Sequence, residues 1–263
     1  MMGTQHQPPG IFGHNRCYLT RHYALIPPEC PLPSLIPGIA DTYIRVQTTP
    51  ALGAEFVWMQ LDMQPGGGMV KPRTSVEQNF FYVVSGQASL ELDGKTHVME
   101  KGGYCYVPSS TELRVFNGGD EPNRVAWIKK PYEQVEGYSE PKAFVSHQDK
   151  VEKRLVPTKG RFILDLLPCI EDMSFDFGMN ILSFDPGAYF PMVECHVMEH
   201  GMLILEGQCI YYLEDKWHEV WTGDYVYMAP FVPQFCYATG WGPTSYLLYK
   251  NVNRDFTVRG LRA

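Results

Sequence analysis

FDPGAYFPMVECHVMEHGMLILEGQ, residues 184–208, decides the fold once it is laid over the earlier stretch PGGGMVKPRTSVEQNFFYVVSGQ, residues 65–87. A shift of 121 residues (186 minus 65) brings Pro65-Gly66 onto Pro186-Gly187 and Gly86-Gln87 onto Gly207-Gln208 with no gap. The same shift pairs Leu92 with Leu213, Lys95 with Lys216, His97 with His218, Gly102 with Gly223, and Tyr104 and Tyr106 with Tyr225 and Tyr227. Similarity at one fixed offset marks an internal duplication. Each copy reads as strands: Phe80 to Val84 and Met202 to Leu205 are apolar runs closed by glycine turns, and Gln87 to Leu92 alternates polar with apolar. Asp93-Gly94 is a hairpin-turn signal. Short strands at this spacing, without long helical periodicity, predict an all-β chain with a jelly roll in each half.

The composition narrows the function. The chain has 263 residues, 44% hydrophobic and 19% charged, and its 24 glycines and 21 prolines are scattered as in a turn-rich β protein. A net charge of -7 gives no basic footprint for a nucleic-acid or anionic-membrane partner. No apolar run approaches the ~18 residues of a membrane span, and Met1 to Asn15 contain no apolar core of a signal peptide, so a cytoplasmic protein is expected. The seven cysteines form no Cys-x-x-Cys pair, which excludes a zinc ribbon or a thioredoxin-type motif and suits reduced thiols.

The glycine framework resembles that of the cupin family, in which two glycine-bounded motifs carry the metal ligands. Between Gly187 and Gly207 the ligand slots hold Glu194, His196 and His200, and eleven residues after Gly223 stands Gln234 (234 minus 223). The first half keeps the frame from Gly66 to Gly86 and from Gly102 through Pro108 to Asn117, but its slots hold Arg73, Ser75, Asn79 and Leu113. The resemblance implies a bicupin, two tandem jelly-roll barrels with a few short helices and one metal centre. The expected organisation is an N-terminal arm (1–50), a cupin without metal ligands (51–135), a connection with room for a short helix (136–172), a catalytic cupin (173–252) and a tail (253–263). The Glu-x-His-x-x-x-His pattern with a later Gln resembles the manganese bicupins that release ammonia from ureidoglycine in allantoin degradation. That likeness implies Mn2+, a small ureide substrate, catalytic roles for Glu194, Tyr246 and Lys250, and substrate contacts from Glu194, Gln234, Tyr246 and Lys250, with Tyr211 as a further neighbour.

Strand alternation predicts that Glu194 and His196 point into the barrel and Cys195 away from it, with His200 returning after a tight turn and Gln234 arriving from another strand. Two imidazoles, a carboxylate and an amide oxygen suit a borderline-to-hard divalent ion; on residue type alone iron, nickel or zinc fits as well as manganese. Lys250 is expected to bind the substrate carboxylate or assist proton transfer, and Tyr246 to orient substrate or water. Against these stand plainer readings. Tyr246 is also a natural core residue, Lys250 has a counterpart, Lys129, in the half without ligands, and His97 and His218 suit surface or packing roles. Glu77 and Gln78 are assigned no chemistry. Two rival functions are a bicupin dioxygenase, which would consume oxygen, and a non-catalytic binding bicupin. The Pro-rich stretch Pro27 to Pro37 suits contact with a neighbouring subunit, so a homo-oligomer is expected.

Overall fold

The computed structural model describes residues 16–156 and 158–256; the sequence tail from Thr257 lies outside the described residues. The apolar runs are continuous rather than alternating because their strands are covered on both faces. In Gln78–Ser85, Phe81 and Val83 face the interior of the first barrel with Leu90, Val115 and Trp127, while Phe80 and Tyr82 face outward. In His200–Glu206, Met202 and Ile204 face the interior of the second barrel and Leu203 faces outward. The two outward faces meet in one shared apolar cluster, which joins Trp58, Phe80, Tyr106 and Ile128 of the first half to Phe177, Leu203, Tyr225 and Tyr249 of the second. The barrels thus pack back to back, and each keeps its own core.

The first barrel is a ten-stranded sheet in which Asn123–Lys130 runs antiparallel between Val57–Met69 and Gln78–Ser85. The second combines an eight-stranded sheet, with His200–Glu206 between Tyr225–Met228 and Thr244–Asn251, and a three-stranded sheet centred on Gln208–Leu213. The duplication is visible in the turns. Gly86 and its counterpart Gly207 both take φ in the left-handed region, +71° and +81°, and a Cβ on Gly207 would stand 2.3 Å from the Pro243 carbonyl oxygen. The hairpin turns match too, with Asp93 at φ 50° and Glu214 at φ 60°.

Residues read from the sequence as an arm belong to both sheets. Tyr23–Ile26 pairs with Tyr225–Met228 of the second barrel, and Ile39–Thr48 pairs with Val57–Met69 of the first. Arg16 fastens the beginning of the described chain, with its guanidinium 3.4 Å above the Trp221 ring and 2.6 Å from Asp224. In the connection, Phe144–His147 joins the first barrel, Arg161–Asp165 joins the second, and the helical element is a single 3-10 turn, Gln148–Lys150. His218 is buried and its Nε2 lies 3.0 Å from the Tyr23 hydroxyl, in line with a packing role. No helix among the described residues is long and apolar enough to cross a membrane.

Candidate active site

His200 opens its strand, and alternation puts it on the interior face with Met202 and Ile204. Its direct neighbour on Thr244–Asn251 is Lys250, and that strand turns Tyr246 and Leu248 into the same core. His200 Nδ1 lies 3.3 Å from the carbonyl oxygen of Tyr249, which can only accept, so Nδ1 carries the proton. Burial, with His196 and Lys250 nearby, pushes the His200 pKa down to about 3. The ring is therefore neutral, and its Nε2 presents a lone pair on the side of His196. That is the form a metal-binding imidazole takes.

His196 Nε2 lies 3.3 Å from His200 Nε2 and 3.0 Å from the Gln234 amide nitrogen. Gln234 starts the strand Gln234–Ala238, and its Oε1 accepts from the Tyr211 hydroxyl at 3.0 Å. The Tyr211 hydroxyl in turn shares a hydrogen bond with Tyr246. Burial raises both phenols far above their ordinary pKa, so both stay protonated. Tyr246 is 1% exposed and reaches the cluster through Tyr211 rather than directly.

The strand expected through Glu194 and His196 is reduced to one isolated bridge, in which Glu194 and Gln234 exchange backbone hydrogen bonds at 2.8 and 2.9 Å. Pro191 has no N–H to give to a continuous ladder, and before it the chain meets Gln234–Ala238 again at the isolated Tyr189–Tyr237 bridge. The Glu194 carboxylate lies 3.9 Å from Arg161 and stands apart from the imidazole pair. Accordingly, no three His, Cys, Asp or Glu side chains among the described residues close on one point. Cys195 is exposed with its Sγ against the Phe231 carbonyl, outside the donor cluster.

Three observations bear on whether a divalent ion fits. Two imidazole Nε2 atoms face each other at 3.3 Å, a separation that suits two nitrogens each about 2.1 Å from one ion. The Nδ1 of His196 is buried without a partner. A half-turn of the Gln234 amide would bring Oε1 to the imidazoles and let the nitrogen donate to the Tyr211 oxygen. The two imidazoles and the amide fit, while the Glu194 carboxylate stands beside Arg161, apart from them. The corresponding positions of the first barrel are filled by their own contacts: Arg73 lies 4.7 Å above the Trp127 ring, Asn79 accepts from the Trp127 indole at 3.0 Å, and Leu113 is buried. Lys129, the counterpart of Lys250, lies 3.8 Å from Glu77.

Sequence reasoning missed two residues here. Arg161 is 6% exposed, packs its guanidinium 4.5 Å from the Phe190 ring and leaves its Nε without a partner beside Glu194. Glu199 is 1% exposed at the inter-barrel contact. Nothing in the sequence marked either one. Arg161 sits in a charged connection, and Glu55, the partner of buried Glu199, is 144 residues away.

Two back-to-back jelly rolls, one carrying a cluster of imidazole and amide donors, define a double cupin with a single candidate centre. A cupin domain family matches residues 59–129, in the first barrel. Over 243 residues the chain is 36% identical to a probable (S)-ureidoglycine aminohydrolase of Oryza sativa subsp. japonica, covering 92% of this chain and 77% of that protein. It is 34% identical to the (S)-ureidoglycine aminohydrolase of Escherichia coli K12 over 90% of this chain and 91% of the other. The crystal structure of protein Ylba from E. coli superposes with a TM-score of 0.84 at 32% identity, covering 93% of this chain and 97% of that one. The chain belongs to the (S)-ureidoglycine aminohydrolase family.

Proposed function

We propose that the protein hydrolyses (S)-ureidoglycine to (S)-ureidoglycolate and ammonia as a step of allantoin degradation, with manganese held by His196, His200, Gln234 and Glu194. The observation that carries this reading is the convergence of His200 and Gln234 on the His196 imidazole, at 3.3 and 3.0 Å, in a chain 31–36% identical to such aminohydrolases over at least 90% of its length. A divalent ion bound there would polarise the substrate amine or the incoming water.

The chain's own residues supply the rest. Substrate amine leaves as ammonia and water adds as hydroxyl at the same carbon, so a proton must reach the departing nitrogen and another must leave the water. Lys250, beside His200 on the adjoining strand, supplies a cation for the substrate carboxylate or a proton at Nζ. Tyr211 fixes the Gln234 amide, and Tyr246 holds Tyr211 from within the core. Phe190, Met202 and Met228 are buried in the same core as Tyr211 and Tyr246. A cytoplasmic homo-oligomer is part of the same proposal. Seven free thiols support the compartment, and exposed Leu32, Leu35, Trp217 and Tyr237 support association.

The test is ammonia release from freshly generated ureidoglycine, with product handedness recorded, before and after chelation and manganese return. Manganese-restored release of ammonia giving the (S) product supports the proposal. Oxygen consumption without ammonia, or full activity after exhaustive chelation, refutes it.

A further inference from the structure

Alternation that turns His200 into the second barrel turns Glu199 and Gly201 the other way, onto the contact between barrels. There they meet the first half of the chain. Both Glu199 carboxyl oxygens accept the backbone N–H of Glu55, at 3.2 and 3.1 Å, and Oε1 also faces the Tyr249 hydroxyl at 3.5 Å. The Glu199 N–H donates to Asn251 Oδ1 at 2.9 Å. Phe56 stacks on Tyr249 with ring centroids 3.9 Å apart and planes at 25°. A Cβ on Gly201 would stand 2.8 Å from the Phe56 ring and 2.6 Å from the Tyr225 hydroxyl, which itself is bonded to Thr48 at 2.6 Å. The absence of a side chain at 201 is what lets the first barrel touch the backbone of the donor strand.

Tyr249 is the hinge of this contact. Its ring is gripped by Phe56, its hydroxyl faces Glu199, and its carbonyl oxygen receives His200 Nδ1 at 3.3 Å. We infer that Glu55 and Phe56, acting through Glu199 and Tyr249, are positioning residues that fix the orientation and tautomer of the His200 imidazole. The barrel that lacks donors thereby sets the geometry of the one that has them. The inference rests on His200 being a metal ligand as proposed above. Groups bonded to the second nitrogen of a ligand imidazole determine which nitrogen faces the metal, and their loss weakens binding by about 10- to 100-fold.

The variants are Glu199→Leu, which removes the acceptor of the Glu55 N–H, Gly201→Ala, which pushes Phe56 outward, and Glu199→Gln, which keeps an acceptor oxygen in the same shape. Circular dichroism and melting confirm that each variant is folded. Manganese affinity of the full-length, metal-stripped protein is measured by titration calorimetry, and the His200 tautomer by 15N NMR without metal. The expected result is a loss of about 10- to 100-fold in manganese affinity and a mixed tautomer for Glu199→Leu and Gly201→Ala, with Glu199→Gln within about threefold of wild type. At saturating manganese the losing variants keep KM and fall in kcat. Wild-type affinity and a pure Nδ1-protonated His200 in folded Glu199→Leu and Gly201→Ala overturn the inference. Failure of the wild type to bind manganese overturns the metal reading instead, while the tautomer of metal-free protein still decides whether these residues position His200.

Discussion

Glutamine in place of Glu199 perturbs one atom and, with it, the pH dependence of folding. The Glu199 carboxyl is 1% exposed, and burial pushes its pKa up to about 8 against the pull of Lys130 and the Tyr249 hydroxyl. Between about pH 4.5 and 8 the folded protein keeps a proton that the unfolded chain has released. Stability therefore falls as pH rises through that window, by about 1.4 kcal/mol per unit and by about 5 kcal/mol in all. His200 acts in the opposite sense. Its folded pKa of about 3 means that the unfolded chain takes up a proton below pH 6.5 that the fold refuses, so stability rises with pH from about 3 to 6.5. The two slopes offset each other from about 4.5 to 6.5, and the wild type then declines toward pH 8. Glu199→Gln removes the decline and leaves only the rise. Urea unfolding of chelator-treated wild type and variant, at half-unit steps from pH 5 to 8.5, measures the difference directly. Curves that stay parallel across that range would refute the assignment of a proton to buried Glu199.

Three further predictions concern other parts of the structure. Lys130, whose Nζ lies 2.5 Å from buried Asp176, is the counter-charge of a carboxylate that also accepts from Gln78 and the Glu133 N–H. Lys130→Met should cost about 3–5 kcal/mol in urea unfolding, and Lys130→Met with Asp176→Asn should regain most of it; equal losses in the two would contradict a charge-based explanation. Gly187→Ala adds a side chain in open space at φ +79° and should cost about 1–2 kcal/mol, whereas Gly207→Ala must also push against Pro243 and should cost about 1–3 kcal/mol more. Identical melting shifts for the two would show that the close approach at Gly207 carries no weight. Arg161→Met removes a buried charge with an orphaned Nε and a 3.9 Å counter-ion, so its melting temperature should hold or rise. A large drop in melting temperature would mean that Glu194 depends on Arg161 for its place.

The duplication was legible because turns that need φ in the left-handed region keep glycine wherever the backbone recurs, as at Gly86 and Gly207. The doubly buried strands were legible for the same kind of reason, since a strand with two apolar neighbours has nowhere to place polar residues. His196, His200 and Gln234 were read from their places in the glycine frame that resembles the cupin motifs, and the structure brings His200 and Gln234 to the His196 imidazole. The irregular backbone around Glu194 was not legible, because alternation assumes a ladder that extends beyond a single bridge. Nor were Arg161, Glu199 and the Lys130–Asp176 pair. Charged residues in an otherwise polar segment read as solvated, and only tertiary packing takes them out of water, against Phe190 for Arg161 and between the barrels for Glu199.

The pairing of Tyr23–Ile26 with Tyr225–Met228 has a consequence for biosynthesis. The ribosome makes the first strand early, yet its partner emerges 199 residues later (225 minus 26), a delay of roughly 10–40 s at ~5–20 residues per second. Throughout that interval Tyr-Ala-Leu-Ile has only the two-residue strand Tyr18–Leu19 beside it, and its other edge is open to any chaperone or stray sheet edge. This pairing of the second barrel cannot form until Tyr225–Met228 has emerged, and it stitches an early part of the nascent chain to a late one.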